Sequence, residues 1–484
     1  MKAIIIGAGV SGLAAGSYLR MNGIDAEIFE MHNISGGVCT SWKREEYLFD
    51  HCLHWVMGIN KKSSMYPYYK DFGVLDEIEF HQADIVRKII LDDKIFNVYT
   101  DANKLEEELI NFFPNEKKAI KTLIKKIIFF SGFYPPMDAD FAKIRVSDIL
   151  KMIPFIPSLL KLMRISIKDY LGKTIKNDDL RNLIFKMFPI GTMPAIMTII
   201  SKAYYHRKEG GYPIGGSLNF ARIIEKKFLN LGGKINFNKK VKKIIIENNK
   251  AIGIETSDGE KYFSDIVISA SDAKEVLFDM LEGKYLTSIH KKMFGSPSLW
   301  PPLICISIGV DMDFSNEAEI VNFKTKNKIT INNKSVEWLG FFNFSRDKHF
   351  APSRKSVIEI QIETDYHYWK NLYDNNKVKY ENEKKAILDF CVEEIENLYS
   401  GFKNKIEATD VATPVTWENY TGNWQGSFEG WLPNIKIFGK GLPKKLPGLK
   451  NFYMTGQWTF PGGGIPLCIV NGKKIASMIK KDHK

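Results

Sequence analysis

The sequence lacks the long apolar run that an integral membrane protein needs. Its 484 residues are 44% hydrophobic, yet no uninterrupted apolar stretch approaches the roughly 18 residues of a spanning helix. The apolar run at residues 3–6 leads into a glycine turn rather than to a cleavage site, so it does not resemble a signal peptide. We therefore expect a globular protein of two or three domains that stays in the cytoplasm.

Cysteine is also scarce, and this excludes several kinds of site. The chain has 5 cysteines, none of them in a C-x-x-C pair, so neither a disulfide framework nor a redox pair is expected. The nearest set of metal-ligand types, Cys39, His51, Cys52 and His54, fits no usual structural zinc spacing, and we predict no metal. The sequence contains no internal repeat and only one G-x-G-x-x-G motif, so no dedicated NAD(P)H site is predicted.

Positive charge is in excess, with a formal net charge of +12, which favours an anionic partner surface. On a helix beginning near Pro157, the apolar and basic side chains would occupy two faces: Leu159, Met163, Ile167 and Tyr170 on one, Lys161, Arg164 and Lys168 on the other. Such a helix either lies in a membrane interface or packs on its own domain. No basic tract with interleaved aromatics accompanies it, so we rank a membrane surface above nucleic acid.

A glycine turn stands at the N-terminus, where Gly7, Gly9 and Gly12 form a G-x-G-x-x-G motif between a predicted buried strand and a predicted helix. In a dinucleotide site the first glycine permits the tight turn, the second lets the backbone approach a pyrophosphate, and the third allows close helix–strand packing. A second predicted strand, residues 25–29, ends in Glu30, where an acid binds ribose hydroxyls. The alternative is a ligand-free turn, and the motif alone does not separate NAD from FAD.

Two further glycine clusters favour FAD. Gly36 and Gly37 offer backbone amides to a second side of the phosphates, as flavoproteins require, although a simple loop is the alternative. Near the C-terminus, a predicted strand delivers Gly456 and Gln457, and a triple-glycine loop follows with Pro466 at the first helical position. The dipole of that helix would stabilise negative charge at the pyrimidine end of a reduced flavin. A ligand-free glycine turn is again the alternative.

These motifs together resemble one family. GAGVSG with Glu30, the Gly-Gly pair followed by Tyr-x-Phe-Asp, the Gly-Tyr-Pro-x-Gly-Gly loop from residue 211, and Tyr-Met-Thr-Gly-Gln-Trp-Thr-x-Pro-Gly-Gly-Gly-Ile-Pro are similar to phytoene desaturases, carotenoid isomerases and retinol saturases of the flavin-containing amine oxidase superfamily. The resemblance implies a p-hydroxybenzoate-hydroxylase-like flavin fold, non-covalent FAD, and a hydrophobic tunnel for a long unsaturated substrate.

By position, the resemblance assigns FAD contacts to Gly7, Gly9, Ser11, Gly12, Glu30, Gly36, Gly37, Val38, Val241, Gly456, Gln457, Gly464 and Ile465. Two positions depart from the family pattern. Val38 replaces the arginine that often follows the Gly-Gly pair, and Cys52 replaces the glycine usual after Phe-Asp-x.

We therefore predict an α/β protein with a Rossmann-like FAD-binding domain and an inserted α+β substrate domain. Alternating apolar and polar residues at 78–100 predict a second, partly antiparallel sheet, and a buried strand at 265–269 returns to the first. The FAD-binding domain would comprise residues 1–77, 210–296 and 441–484. The substrate domain would comprise residues 78–209, with candidate membrane-associating helices, and residues 297–440.

The predicted function is FAD-dependent oxidoreduction at carbon–carbon double bonds of a polyene or lipid-like substrate, by desaturation, saturation or isomerisation. His54 and Cys52 follow a flavin-proximal segment and are the catalytic candidates, although His54 could equally be packed or flavin-orienting. Tyr204, Tyr205 and His206 are secondary candidates for lining the substrate cavity. Without an NAD(P)H motif, redox turnover needs an external electron donor or acceptor.

Two other functions remain open at this point. One is an amine oxidase of the same fold, which would oxidise amines with release of peroxide. The other is a non-catalytic carrier like the Rab GDP-dissociation inhibitors, which share the fold without using flavin. The intact phosphate-binding glycines at both ends of the chain speak against the carrier.

Overall fold

The structure is a computed structural model that describes residues 1–91, 94–136, 146–187, 191–295 and 297–483, with the side chains of 146–148 left out. Ser296 and Lys484, at which two of the predicted domain segments end, lie outside the described residues. The five segment boundaries therefore stay predictions.

The described part of the chain forms twenty strands: β1 (Lys2–Ile6), β2 (Asp25–Phe29), β3 (Trp42–Arg44), β4 (Tyr47–Phe49), β5 (Val56–Met57), β6 (Phe80–His81), β7 (Ile85–Leu91), β8 (Lys94–Tyr99), β9 (Gly210–Pro213), β10 (Lys234–Asn236), β11 (Val241–Glu247), β12 (Lys250–Thr256), β13 (Lys261–Phe263), β14 (Ile266–Ser269), β15 (Leu303–Val310), β16 (Ile320–Ile331), β17 (Lys334–Asn343), β18 (Ser356–Glu363), β19 (Ile406–Ala412) and β20 (Phe452–Met454).

It also forms sixteen α-helices: α1 (Val10–Met21), α2 (Tyr66–Phe72), α3 (Val74–Glu77), α4 (Ala102–Phe112), α5 (Lys117–Ser131), α6 (Val146–Met152), α7 (Ile156–Met163), α8 (Ile167–Thr174), α9 (Asp178–Met187), α10 (Ala195–His206), α11 (Gly216–Asn230), α12 (Ser288–Gly295), α13 (Tyr366–Asn375), α14 (Lys377–Glu396), α15 (Pro414–Thr421) and α16 (Gly464–Asp482).

The first sheet has five parallel strands in the order β10-β2-β1-β14-β20. Its central strands are buried on both faces, as their continuous apolar runs require. One face packs against α1, α11 and α16. The opposite face packs against the β11–β12 hairpin and the π-helical turn Glu275–Met280. The predicted return of the chain to this sheet at β14 is confirmed, with Ile5 opposite Ile268.

The second sheet has seven strands in the order β19-β15-β18-β17-β16-β7-β8. All neighbours are antiparallel except β16 and β7, which run parallel, so the predicted partly antiparallel sheet is confirmed. Apolar residues of α13 and α14 cover it through a buried cluster that contains Trp369 and Ile387. A separate helical layer made of α4, α5 and α7–α10 packs beside β7 and β8. The predicted α/β fold with an inserted second sheet is confirmed.

The predicted basic amphipathic helix from Pro157 to Leu171 is wrong, because two helices occupy this stretch. Helix α7 ends at Met163 and α8 begins at Ile167. Ser166 adopts an extended conformation and its side chain accepts a hydrogen bond from the Asp169 N–H, which makes it the N-cap of a new helix. Ile167 and Tyr170 are buried, so they do not continue an exposed apolar face from Leu159 and Met163.

Two smaller expectations are also corrected. The stretch predicted as a loop from Gly210 begins with strand β9, which pairs with β5 and β6. Pro466 occupies the third helical position, because α16 already begins at Gly464. A proline is tolerated there, since the first-turn N–H groups of a helix have no intrahelical partner.

Candidate functional site

A large cavity of about 270 Å³ lies at the carboxyl edge of the first sheet. Its walls include the residues that directly follow four strands: Gly7 after β1, Glu30 after β2, Ala270 after β14, and the turn at Gly456 after β20. Parallel strands end at the same edge, so their loops converge there. This is the position at which open α/β sheets bind ligands.

The predicted FAD contacts that line this cavity are Gly7, Gly9, Ser11, Glu30, Gly36, Gly37, Val38, Val241, Gly456, Gln457, Gly464 and Ile465. Gly12 alone of the predicted set does not line it. A Cβ added at Gly12 would lie 2.0 Å from the Gly7 carbonyl oxygen, so this glycine lets α1 close onto the turn. That is the packing role expected of the third glycine in the motif. The contacts with FAD themselves remain a prediction.

The two ends of the chain meet at the cavity. The hydroxyls of Ser11 and Thr455 lie 3.2 Å apart in a buried hydrogen bond. Behind them α1 packs directly against α16, where a Cβ added at Gly472 would lie 2.7 Å from the Ala15 nitrogen. The first and last helices therefore form one wall, and both ends of the described chain contribute to the cavity.

Both of these helices begin at the cavity without a capping side chain. The N-cap of α1 is Gly9 and that of α16 is Gly463, and neither first turn contains an acidic residue. Among the described residues, no side chain accepts a hydrogen bond at either N-cap. The free N–H groups and the positive end of each helix dipole therefore favour anionic groups in the cavity.

Hydrogen bonds fix the loops that follow β1 and β2 at the edge of the cavity. The Glu30 carboxylate accepts hydrogen bonds from the Ala8 N–H (2.7 Å) and the His32 N–H (2.9 Å). Gly36 donates its N–H to the Ala8 carbonyl at 2.9 Å. Its φ of +122° and the 2.4 Å from an added Cβ to the Cys39 oxygen leave no room for a side chain. Glycine backbone, two free helix ends and a carboxylate at the end of β2 together fit a dinucleotide.

A buried polar cluster holds the second sheet against the cavity. The Asp50 carboxylate accepts hydrogen bonds from the Ser217 hydroxyl (2.6 Å), the Cys52 N–H (3.0 Å) and the Ser41 hydroxyl (3.1 Å), and also from the Ser217 N–H. The N–H of Asp50 in turn donates to Glu359 on β18. Because buried polar groups need such partners, the cluster fixes the segment after β4 between the two sheets.

His51 belongs to this cluster and lines the cavity. Its Nε2 lies 2.8 Å from the Ser307 hydroxyl on β15, and its Nδ1 lies 3.5 Å from Glu359. Burial lowers the pKa of His51 well below its usual range and raises the pKa of Glu359 well above it. Burial therefore disfavours the charged form of both groups.

The catalytic candidates Cys52 and His54 both line the cavity. The His54 ring stacks on Phe342 with 3.7 Å between centroids. Burial lowers the pKa of His54 to about 3, so the imidazole is neutral at physiological pH. Its Nε2 is buried without a hydrogen-bond partner among the described residues. A neutral imidazole with a free nitrogen can hydrogen-bond a ligand, and the catalytic role of both residues stays a prediction.

A second cavity measures about 50 Å³. His54 lines both cavities. The remaining apolar and aromatic walls of the second cavity are Trp55, Val86, Tyr205, Tyr212, Ile320, Phe342 and Phe344, while His81, Glu319, Arg346 and Asp347 are among its polar walls. Of the secondary candidates, only Tyr205 lines it. Tyr204 packs under the Arg207 guanidinium at 4.4 Å, and the His206 Nδ1 accepts the Ala102 N–H.

The sequence did not predict one wall of the large cavity. Residues of the stretch 420–430 line it, including Tyr420, Asn423, Phe428 and Glu429. The signal that could have found this wall is the spacing of Gly422, Gly426 and Gly430, all of which have positive φ. Three such glycines in nine residues indicate a backbone that turns repeatedly and can lie close to a bound ligand.

Metal-ligand groups and membrane-spanning helices are both absent from the described residues. Within the described ranges, no group of three or more His, Cys, Asp or Glu is placed to hold a metal ion. Within the same ranges, each helix is too short or too polar to cross a membrane.

Comparison with known proteins gives a family match over most of the chain. The family described as flavin containing amine oxidoreductase matches residues 10–479. A chloroplastic prolycopene isomerase of Daucus carota is 22% identical, over 99% of this chain and 80% of its own length. A 1-hydroxycarotenoid 3,4-desaturase of Flavobacterium sp. (strain P99-3) is 26% identical over 99% of both chains. An all-trans-retinol 13,14-reductase of Danio rerio is 23% identical, over 94% of this chain and 82% of its own.

Solved structures share the fold. An oxidoreductase from Methanosarcina mazei superimposes with a TM-score of 0.64 at 16% identity, covering 99% of this chain and 100% of the other. Putrescine oxidase bound to putrescine gives a TM-score of 0.64 at 13% identity, covering 99% of each chain. At these identities the likeness concerns the fold alone.

Proposed function

Because the chain belongs to the flavin containing amine oxidoreductase family, we propose that it acts on carbon–carbon double bonds of a polyene or another long, lipid-like molecule. The enzyme is a flavin-dependent oxidoreductase and its cofactor is FAD. When bound, FAD exchanges a hydride or electrons with the substrate. The reaction class comprises desaturation, saturation and isomerisation, which correspond to the three relatives named above.

The residues present divide the binding of FAD between the two chain ends. Gly7, Gly9 and Ser11 at the start of α1 would hold the phosphates, and Glu30 would accept hydrogen bonds from the ribose. At the other end, Gly456, Gln457, Gly464 and Ile465 would contact the flavin, where the free N-terminus of α16 favours negative charge. Val38 supplies no charge to the phosphates, so their binding would rest on backbone amides.

The observation that carries the proposed substrate class is the position of His54 in the wall of both cavities. The residue lines both the large cavity and the second cavity. Seven of the thirteen residues that line the second cavity are apolar or aromatic, among them Trp55, Tyr205 and Phe342. This apolar surface supports an unsaturated hydrocarbon as the ligand, since burial of such a molecule is driven by the hydrophobic effect.

The purified protein should first show the yellow absorption of bound flavin. Anaerobic incubation with a lipid extract of the host, followed by mass spectrometry, then identifies the reaction. Loss of a hydrogen pair indicates desaturation, gain of a pair indicates saturation, and an unchanged mass with altered retention indicates isomerisation. A colourless protein, or peroxide release with amines while every lipid stays unchanged, would contradict the proposal.

Redox turnover requires a partner outside the chain, because the sequence carries a single dinucleotide motif. We propose a quinone or oxygen as acceptor for oxidation and an external donor for reduction. Photoreduced protein mixed anaerobically with a soluble quinone should be reoxidised faster than with buffer alone. Equal rates would exclude the quinone.

We further propose that the enzyme docks on an anionic membrane surface through an apolar patch on the helical layer. Seven of the sixteen exposed large hydrophobic side chains described lie in one stretch: Ile128, Phe129, Ile149, Leu150, Ile153, Ile156 and Leu160. The sequence has no acidic residue at 117–136 or 149–168, while Lys121, Lys125, Lys151 and Lys161 are exposed there. Exposed apolar side chains with a basic surround match an anionic lipid interface.

Vesicle co-sedimentation tests this surface. The wild-type protein should bind vesicles that contain phosphatidylglycerol more tightly than vesicles of phosphatidylcholine, and added salt should weaken the binding. Replacing Leu150 and Ile153 by serine should abolish it, whereas Val378→Ser, at a side chain 73% exposed on α14, should not. Equal loss in both variants, or no binding by the wild type, would refute the surface.

A further inference from the structure

Glu429 places a carboxyl group in the wall of the large cavity beside the start of α16. Its carbonyl oxygen lies 2.6 Å from the position that a Cβ would take at Gly463, and its Oε1 lies 3.6 Å from the corresponding position at Gly464. The side chain therefore sits at the free N-terminus of the helix that we assign to the flavin. Neither the family motifs nor the predicted site included this residue.

The Glu429 carboxyl makes no hydrogen bond and no ion pair with any described residue. The other acidic side chains of the cavity wall are all engaged. Glu30 accepts two backbone N–H groups, and Asp272 accepts those of Lys274, Glu275 and Trp424. Glu275 pairs with Lys240 at 3.2 Å. A half-buried carboxyl that lines a ligand cavity and has no partner among the described residues points to a chemical role.

The proposed chemistry has a use for such a group, and this step rests on the proposed function. Hydride transfer to or from a carbon pair changes that pair by one hydride and one proton, and the cofactor accounts for the hydride alone. We infer that Glu429 is the catalytic group that exchanges the proton, taking it up as the flavin is reduced and returning it as the flavin is oxidised.

The exchange balances in both directions. In desaturation, one C–H bond breaks and its hydrogen leaves with the electron pair for the flavin. The neighbouring C–H bond loses its proton to the Glu429 carboxylate, and its electron pair forms the new double bond. In saturation, the Glu429 carboxylic acid gives its proton to one carbon while the other carbon receives the hydride.

The electrostatics suit this exchange near neutral pH. Burial raises the pKa of Glu429 to about 7, with no charged neighbour contributing to the shift. The nearest titratable group on α16 is Cys468, whose pKa burial raises to about 12. The cavity wall also holds the neutral imidazoles of His51 and His54 and the side chain of Cys52. Other acidic and basic groups of the wall include the Lys240–Glu275 pair, Glu30, and Asp272, whose pKa burial raises to about 7.

The sign of the pH dependence follows. Below its pKa, Glu429 is already protonated in the oxidised enzyme and takes up no further proton on reduction. Above its pKa it is a carboxylate, and the negative charge that the flavin gains on reduction raises its affinity for a proton. Reduction should therefore take up one more proton above the Glu429 pKa than the flavin alone requires.

Proton uptake during anaerobic photoreduction of the FAD-loaded enzyme tests the inference without any substrate. At about pH 8, the wild type should take up about one proton more per two electrons than Glu429→Gln, and at about pH 6 the two should agree. Glu337→Gln, which removes a carboxyl that is paired with Lys328 and lines neither cavity, should behave as the wild type. Equal uptake by the wild type and Glu429→Gln at both pH values would overturn the role of Glu429.

If Glu429→Gln fails to fold, infrared spectra of the wild-type enzyme test the role of Glu429. Redox-difference infrared spectra of enzyme with isotopically labelled glutamate should show a protonated-carboxyl band that appears on reduction at about pH 8 and is absent from the difference at about pH 6. A missing band at the higher pH overturns the inference. Failure to bind FAD would instead refute the proposed function, so the two failures are distinguishable.

Discussion

The two cavities that His54 lines are built from different parts of the polypeptide. The large cavity is lined mainly by loops that follow parallel strands, with backbone exposed at glycines such as Gly9, Gly36 and Gly456. The second is lined by large side chains that project from β7, α10 and β17, among them Tyr205 and Phe342. A backbone-lined space fixes one ligand shape, whereas a space lined by side chains is changed by each substitution. The first suits a constant cofactor and the second suits substrate selection.

The largest effect is expected from filling the glycine turn. Gly12→Ala places a Cβ within 2.0 Å of the Gly7 oxygen, so the turn must open and FAD affinity should fall by about 100-fold or more, that is, by about 2.7 kcal/mol. The measurement is FAD titration of apoprotein by flavin fluorescence. Gly172→Ala, on α8 with nothing within 4 Å of the added Cβ, is the matched control and should keep wild-type affinity. Unchanged affinity in Gly12→Ala would remove the basis for a backbone-defined cofactor site.

An intermediate effect, confined to the other cavity, is expected from Phe342→Ala. The substitution removes the ring stacked 3.7 Å from His54 and enlarges the second cavity. Turnover of the polyene identified in the extract experiment should fall by about tenfold in kcat/KM, because the lost aromatic contact is worth up to about 1.4 kcal/mol. FAD affinity should stay within about twofold of the wild type, since no cofactor wall is touched.

Phe263→Ala is its control, since that side chain is 58% exposed on β13. If both variants changed turnover equally, or if Phe342→Ala lost FAD, the assignment of cofactor and substrate to separate cavities would be wrong.

The smallest effect concerns the residue that the cavities share. The pKa of His54 is about 3 in the folded protein, below the value of about 6.5 for an unfolded histidine. The unfolded state therefore binds more protons between these values, and the stability contributed by neutral His54 is present above the unfolded pKa and lost as the pH falls below it. From about pH 7.5 to about pH 5.5 the wild type should lose about 1 kcal/mol more unfolding free energy than His54→Gln.

Urea unfolding at the two pH values measures this difference. The exposed His483, replaced by glutamine, is the control for losing an imidazole. If His54→Gln and the wild type lose the same unfolding free energy between the two pH values, His54 is not buried as a neutral ring.

The cofactor wall could be predicted because its determinants are local in sequence. Gly7 to Gly12, Glu30, and Gly36 with Gly37 each specify a backbone conformation that needs no distant partner. The return of the sheet at β14 was also predictable, since a strand buried on both faces reads as a continuous apolar run. The second cavity was not, because Phe342 and Tyr205 become neighbours only after β17 and α10 have packed.

The errors have local physical causes as well. The helix predicted through Ser166 failed because a serine that caps a helix looks, in a periodicity argument, like a polar residue inside one. Glu429 was missed because an isolated carboxylate in a loop has no signature until its neighbours are known.

The hydroxyl contact between Ser11 and Thr455 links residues separated by 444 positions in the chain. During synthesis, β1, β2 and β14 leave the ribosome long before β20 and α16, so the growing polypeptide holds an unfinished cofactor site for most of its translation. The cavity wall is complete only once this strand and this helix have emerged. Closure of the cavity therefore depends on one of the longest-range contacts along the chain, and it comes late in the formation of the first sheet.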